Sequence, residues 1–245
     1  MKRRIPILML MVGFFLTASA FGQNNDFLTD YSLLAPHDGK FVQRRYFDDN
    51  LLRKMADFNA VFVDQPEIFI AADSKYKGAK GDQLKALADV ARLSTMERLE
   101  ANGYTIATEP GPNTLYFRWA LTDLYLQKKK RGILSYTPLG MVVHTTKSAA
   151  TRDLWKKIDI AELSLEVEFS DFVTGEILGA AVTGQLGMRK ASGQKADIIS
   201  WQELDALFLT VGERISCILD AARTPESEWK ACADIWIQPE APEEN

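Results

Sequence analysis

The chain has 245 residues, of which 47% are hydrophobic, 25% charged and 10% aromatic, and its formal net charge is −4. These values are ordinary for a globular protein and exclude a disordered, collagen-like, coiled-coil or disulfide-knot chain. The charge balance shows no basic excess, which disfavours a nucleic-acid-binding protein.

Residues 1–22 have the pattern of a secretory signal peptide. Three basic residues precede an apolar run over positions 5–16, and an Ala-x-Ala motif ends at Ala20. We expect cleavage after Ala20 or, alternatively, after Gly22. The apolar run is shorter than the roughly 20 residues of a membrane-spanning helix, and no cysteine lies beside the cleavage site to hold a lipid anchor. The sequence therefore predicts a periplasmic or secreted protein with no transmembrane span, in which an outer-membrane association would not use a lipid anchor.

The mature chain divides into one domain and a tail. We expect residues 23–223 to form a single α/β domain, because a chain of this length can bury one sizeable core. Residues 224–245 contain six acidic residues and one lysine. This acidic segment is interpreted as a solvated C-terminal tail.

Hydrophobic patterns predict the elements in chain order. Short apolar runs predict strands at 60–63 and 68–70, interrupted at Pro66 because proline cannot donate to a ladder. Helical spacing predicts a helix over 82–101, followed by a short strand over 104–108.

The second half of the domain is predicted to contain a hairpin and a helix. Strict alternation predicts strands over 114–124 and 163–170, with Glu166 and Glu168 pointing outward from the second. A turn at 171–176 leads to a returning strand over 177–186. Residues 127–160 are expected to be loops with a short helix near 149–155. A capping box predicts a helix start at Ser200, followed by an apolar stripe that ends at Ala222.

Together the elements predict an α+β fold. We expect a mostly antiparallel sheet of about five strands with two long helices packed on one face, because this arrangement buries the apolar face of each element.

Four motifs in this order resemble a known bacterial family. They are Phe27-Leu28-x-Asp30-Tyr31-Ser32, Asp73-Ser74-Lys75-Tyr76-Lys77-Gly78, Pro110-Gly111-Pro112 before Arg118-Trp119-Ala120-Leu121-Thr122-Asp123, and Glu166-x-Glu168 before Asp171-x-x-Thr174-Gly175-Glu176. Over about residues 27–223 the chain resembles the domain of unknown function 3313, a family of envelope lipoproteins. The resemblance implies an α/β envelope domain without an established activity or catalytic residues to carry over. The lipobox cysteine of a lipoprotein is missing here, which favours a soluble periplasmic or secreted form.

The sequence contains one pair of acidic residues that could form a site. Glu166 and Glu168 share a face of their strand, and Arg118 could pair with one of them if the two long strands are neighbours. We interpret these residues first as a structural ion pair, then as a ligand site, and last as an acid–base pair. The sequence has no metal-ligand, nucleophile-elbow or phosphate-loop spacing. We therefore predict no catalytic residue, metal or cofactor.

A basic run lies at the end of the first long strand. It consists of Lys128, Lys129, Lys130 and Arg131. The first interpretation is a solvated loop that discourages edge pairing. The alternative is a patch that contacts an anionic membrane surface or glycan.

The two cysteines are predicted to form a disulfide. Cys217 falls on the outer side of the last helix, and export would place it in a compartment where disulfides persist. We expect Cys232 to be its partner, so that the acidic tail is tethered across the outside of that helix.

The sequence thus favours an exported, non-enzymatic module that binds or scaffolds another envelope component, either a protein or a glycan. Two alternatives stay open. One is a periplasmic hydrolase whose site is assembled from distant residues, and the other is a peripheral membrane binder that uses the basic run.

Overall fold

The computed structural model describes residues 26–39, 41–47, 49–128, 158–184, 186–187, 199, 201–225, 232 and 235. The strands are β1 (Ala35–Pro36), β2 (Val42–Tyr46), β3 (Ala60–Val63), β4 (Glu67–Ile70), β5 (Thr105–Ile106), β6 (Thr114–Lys128), β7 (Ile158–Asp171), β8 (Ile177–Thr183) and β9 (Leu186–Gly187). The helices are α1 (Asp49–Lys54), α2 (Gly81–Ala101) and α3 (Trp201–Arg223), with 3₁₀ turns at Tyr31–Leu33 and Met55–Asp57. The predicted signal peptide, residues 129–157 of the predicted loop region and most of the predicted tail lie outside the described residues.

The sheet has nine strands in the described part of the chain and is mixed. Its main order is β1-β2-β8-β7-β6-β3-β5, while β4 also pairs with β6 and β9 also pairs with β7. The antiparallel pair of β6 and β7 is its longest and runs from Leu115 opposite Asp171 to Lys128 opposite Ile158. The prediction of loops over 127–160 is therefore wrong at both ends, because β6 continues to Lys128 and β7 begins at Ile158.

The prediction of about five mostly antiparallel strands is corrected by the pairing of β3, β4 and β5. Strands β3 and β4 both run parallel to β6, and β3 also runs parallel to β5. The reason is the connection through α2, because a long helix between two strands returns the chain to the end where the first strand began. The segment around Pro66 separates β3 from β4, so that each occupies its own half of one edge of β6.

Both long helices pack against one face of the sheet. The apolar positions of β6 and β7 meet the stripe of α3, where the ring of Trp119 lies 6.1 Å from that of Phe208. Helices α2 and α3 also contact each other closely at Gly212. A Cβ atom at this glycine would lie 2.7 Å from the Arg98 Cβ and 2.8 Å from the Thr95 carbonyl oxygen. The two predicted helices are thus present, and glycine permits their close approach.

The opposite face of the sheet is partly covered by the start of the domain. We call residues 27–34 the N-terminal strap. Its Phe27, Leu28 and Leu34 are buried and form a second apolar cluster with Ala120 of β6 and Ala180 of β8. Asp30 caps the 3₁₀ turn of the strap by accepting a hydrogen bond from the Ser32 N–H at 2.8 Å. This cluster is separate from the core beneath the helices.

Candidate functional site

The acidic pair of β7 lies beneath the strap. Glu166 and Glu168 keep only 3% and 2% of their surface exposed. The expectation that they point to solvent is therefore wrong. Alternation correctly placed them on the face away from the helices, but the strap, which lies far away in sequence, covers that face. Burial of ionised carboxylates demands partners, because an unpaired buried charge is costly.

Glu168 receives three hydrogen bonds. The backbone N–H of Thr29 donates to Oε2 at 2.8 Å, and the Thr29 hydroxyl donates to Oε1 at 2.9 Å. Arg118, which is directly opposite Glu168 in the β6–β7 register, donates from Nη1 to Oε1 at 3.0 Å. The side chain of Arg118 is 27% exposed, so the ion pair is only partly screened by solvent.

Arg118 also holds the first residue of the strap. Its Nη2 donates to the carbonyl oxygen of Phe27 at 3.2 Å, and its guanidinium lies 4.9 Å from the centre of the Phe27 ring. A planar guanidinium can serve a carboxylate, a carbonyl and an aromatic face together. Arg118 thus joins the strap to the sheet at the point where the strap begins.

The hydroxyl of Tyr31 connects the strap to Glu166. It donates to Glu166 and accepts from the backbone N–H of Phe27 at 3.1 Å. Burial and the adjacent Glu166 carboxylate raise the pKa of Tyr31 to about 12. Arg44 of β2 adds a contact from the other side, because its Nη2 donates to the Tyr31 carbonyl oxygen at 3.2 Å.

Further along β7, two more polar side chains are buried, those of Ser164 and Glu162, which are 3% and 4% exposed. We call Glu162, Ser164, Glu166 and Glu168 the polar column of β7. Thr122 of β6 lies opposite Ser164, and its hydroxyl makes no hydrogen bond to any part of the chain that the structure describes. No group of three or more histidine, cysteine, aspartate or glutamate side chains within the described residues could hold a metal ion.

A second surface lies beside the strap. We call Phe62, Tyr116 and Phe172 the aromatic row. The rings of Phe62 and Tyr116 are stacked at 5.5 Å, and Phe172 meets Tyr116 edge-on at 5.8 Å. Phe172 and its neighbour Val173 are 47% and 64% exposed, at the tip of the turn between β7 and β8.

Polar contacts hold this surface in place. The Tyr116 hydroxyl donates to Asp64 at 2.6 Å, and burial together with that carboxylate raises the pKa of Tyr116 to about 12. Asp171 accepts hydrogen bonds from the N–H groups of Val173 and Thr174 at 2.8 and 3.3 Å. These bonds stabilise the turn that presents the exposed apolar side chains.

The two cysteines lie together at the outer side of α3. Cys217 and Cys232 are joined by a disulfide with their Cα atoms 5.6 Å apart. Arg214, one turn earlier in α3, donates from Nε to the carbonyl oxygen of Ile235 at 2.9 Å. Both contacts attach described residues of the tail to the last helix.

Of the basic run, only Lys128 lies within the described residues, where it is exposed at the end of β6. Lys129, Lys130 and Arg131 lie outside them, so the predicted anionic-surface patch stays a prediction. In the described part of the chain, no helix is long and apolar enough to cross a bilayer.

Sequence reasoning missed the residues that complete the two surfaces. Thr29 and Tyr31 lie in the motif Phe27–Ser32, which served only to indicate a resemblance. Phe172 and Val173 were assigned to a turn, although two large apolar residues in a polar turn are a recognisable signal of a contact surface.

The family model described as a protein of unknown function, DUF3313, matches residues 23–215, and the chain belongs to this family. A search of curated proteins finds no relative. Among solved structures, the chain matches the PelC dodecamer from Paraburkholderia phytofirmans, with 11% identity, a TM-score of 0.32, and coverage of 69% of this chain and 91% of that one. A single-residue variant of the same protein matches with 11% identity, a TM-score of 0.28, and coverage of 66% and 92%.

Proposed function

We propose that this member of the DUF3313 family is an exported, non-enzymatic binding module of the cell envelope. In this proposal it recognises another protein through the aromatic row and the tip of the turn at 171–176. The observation that carries the proposal is the exposure of Phe172 and Val173, at 47% and 64%, on a turn that is held by hydrogen bonds. Adjacent exposed apolar side chains are typical of protein contact sites.

The composition of this surface favours a protein partner. The aromatic row ends at Arg92, whose guanidinium lies 5.9 Å from the centre of the Phe62 ring, and Asp64 lies beside Tyr116. An aromatic centre with an arginine at its rim is the composition in which binding energy concentrates at protein interfaces. The acidic pair offers less to a ligand, because both oxygens of Glu168 already accept hydrogen bonds from this chain.

In-cell photo-crosslinking tests the binding surface. A photo-reactive amino acid is placed at Val173 in one strain and at Leu93 in another, since Leu93 is also apolar and 51% exposed but lies on α2. We expect a discrete protein adduct from position 173 and none from position 93. Equal or absent adducts at the two positions would contradict the proposal, as would an adduct with lipid or glycan alone.

Export is tested separately by the mass of the mature protein. Cleavage after Ala20 leaves Phe21 as the first residue, and cleavage after Gly22 leaves Gln23. Recovery of the full-length chain from the cytoplasm alone would contradict export without bearing on the binding surface.

A further inference from the structure

Arg92 of α2 is the cation at one end of the aromatic row. It is half-buried, its Nε donates to the Val63 carbonyl oxygen at 2.7 Å, and its guanidinium lies 5.9 Å from the centre of the Phe62 ring. A guanidinium carries five N–H donors in a fixed fork. The contact with Val63 uses the single donor on Nε and holds the group beside the row.

No carboxylate of the described residues forms an ion pair with Arg92. The carboxylate of Asp64 accepts hydrogen bonds from the Tyr116 hydroxyl at 2.6 Å and from the next backbone N–H at 2.8 Å. Asp89, three positions before Arg92 in α2, pairs instead with Lys85 at 2.8 Å. The acidic residues on either side of Arg92 are therefore engaged with other groups.

Arg92 differs in this respect from two other arginines of the domain. Arg98, on the same helix, pairs with Glu213 at 2.6 Å, and Arg118 pairs with Glu168 at 3.0 Å. The planar fork of an arginine matches the two oxygens of a carboxylate. An arginine without such a partner, at the rim of an exposed aromatic surface, is therefore suited to bind a carboxylate of another molecule.

The aromatic row crosses the strands of the sheet. Phe62 is directly opposite Tyr116 in the register of β3 and β6, and Phe172 lies two positions after Ser170, which is opposite Tyr116 on the other side. Neighbouring rings are 5.5 and 5.8 Å apart. Side chains on one side of an extended segment recur at about 7 Å, which is close to this spacing. An extended segment along the row can therefore place every second side chain on it.

We propose that the partner contributes an extended segment in which one acidic side chain and two apolar side chains alternate with other residues. The carboxylate binds the Nη1 and Nη2 groups of Arg92, and the apolar side chains pack on the aromatic row and on Val173. This inference rests on the proposed function and specifies the class of partner that the surface accepts.

The acidic group is a side chain rather than the end of a chain. Capture of a C-terminal carboxylate uses several converging backbone N–H groups. The backbone atom that contacts Arg92 is instead the carbonyl oxygen of Val63, which repels a carboxylate and leaves the guanidinium as the donor. The partner is thus an internal acidic and apolar segment of a protein.

Selection of peptides from a displayed library of randomised heptapeptides tests this pattern with the purified full chain as the target. We expect enrichment of an acidic residue two and four positions from apolar residues, and its loss when Phe172→Ser and Val173→Ser are combined. Enriched apolar peptides without an acidic residue would overturn this inference and leave the proposed function in place. No enrichment, or enrichment that survives the double substitution, would overturn both.

Fluorescence anisotropy with the most enriched peptide then measures the effect of the carboxylate. Replacement of the acidic residue of the peptide by its amide should raise the Kd about tenfold for the wild type and leave it unchanged for Arg92→Met. Arg98→Met is the matched control, because Arg98 is on the same helix and already pairs with Glu213, and it should show the wild-type difference.

Two results of these binding measurements would overturn the proposal. One is an amide peptide that binds the wild type as tightly as the acidic peptide, and this comparison decides even if Arg92→Met does not fold. The other is a tenfold difference that persists in folded Arg92→Met, which would place the carboxylate elsewhere on the surface.

Discussion

Thr29 gives both its backbone N–H and its hydroxyl to the carboxylate of Glu168, a residue 139 positions later in the chain. This relationship joins the start of the domain to the middle of its sheet. It also turns an apparent surface carboxylate into a buried one. The strap and the sheet therefore stabilise each other, and substitutions at their contact have predictable effects.

Removal of the cation from this contact should be costly. Arg118→Met leaves the buried Glu168 without its ion-pair partner, and we expect a loss of about 3 kcal/mol in the free energy of unfolding. The measurement is urea denaturation at pH 7. The control is Lys54→Met, which breaks the exposed pair with Glu176, where the side chains are 50% and 41% exposed, and should cost less than about 1 kcal/mol. Similar losses in the two variants would contradict the buried role of Arg118.

The raised pKa of Tyr31 predicts that the protein loses stability in alkaline solution. Its pKa is raised from 10.0 to about 12 in the folded state, so folding favours the neutral phenol. The resulting stability is complete below pH 10 and is lost as the pH rises from about 10 to 12. Tyr31→Phe should reduce the difference in unfolding free energy between pH 9 and pH 11.5.

Part of that alkaline loss should persist in Tyr31→Phe. Tyr116 also has its pKa raised to about 12, and the pKa of Tyr104 is raised beside Asp220. Tyr46 of β2 is half-buried and packs against the apolar cluster of the strap, and it provides the matched Tyr→Phe control. An unchanged alkaline loss in Tyr31→Phe would show that the contact with Glu166 does not favour the neutral phenol.

The regular elements could be predicted because their signals are local. Alternation located β6 and β7 and assigned their two faces correctly, and the apolar stripe located α3. The burial of the polar face by the strap could not be predicted in the same way. Thr29 and Tyr31 are far from Glu168 and Glu166 in sequence, and they contact these residues only in the folded domain. A strand face that is polar in sequence can be buried when another segment supplies the hydrogen-bond donors.

The parallel pairing and the aromatic row were missed for a related reason. Phe62, Tyr116 and Phe172 come from three separate segments, and only the register of β3, β6 and β7 brings their rings together. Strand β1 has only two residues, and β2 is short and mostly polar, so neither shows a clear periodicity in the sequence. The disulfide was predictable because helix periodicity placed Cys217 on the outer side of α3.

Gly212 should tolerate no side chain. A Cβ atom there would lie 2.7 Å from the Arg98 Cβ and 2.8 Å from the Thr95 oxygen, so Gly212→Ala should push α2 and α3 apart and cost about 1 to 3 kcal/mol. Thermal and urea unfolding measure the effect. Gly81→Ala, at the start of α2 with nothing within 4 Å, should be neutral or stabilising. A neutral Gly212→Ala variant would show that the helices can separate without loss.

The disulfide should stabilise the domain as well as attach the tail. It closes a sequence separation of 15 residues, which corresponds to about 3 kcal/mol if it mainly restricts the unfolded chain. The double substitution Cys217→Ser and Cys232→Ser should therefore lower the unfolding free energy by about that amount. Intact mass before and after reduction should differ by two hydrogen atoms in the wild type. No mass change in exported protein would show that the thiols are unpaired.

Thr122 provides the opposite kind of test, in which removal of a polar group is favourable. Its side chain is 1% exposed, and its hydroxyl has no hydrogen-bond partner among the residues that the structure describes. Thr122→Val keeps the shape and removes the buried polar atom, so we expect it to raise the unfolding free energy by up to about 1 kcal/mol. Thr95→Val is the matched control, because the Thr95 hydroxyl donates to the Phe208 carbonyl oxygen at 3.2 Å, and it should lower stability by about 1 kcal/mol. If Thr122→Val is as destabilising as Thr95→Val, the Thr122 hydroxyl is hydrogen-bonded in solution and belongs to the polar column of β7.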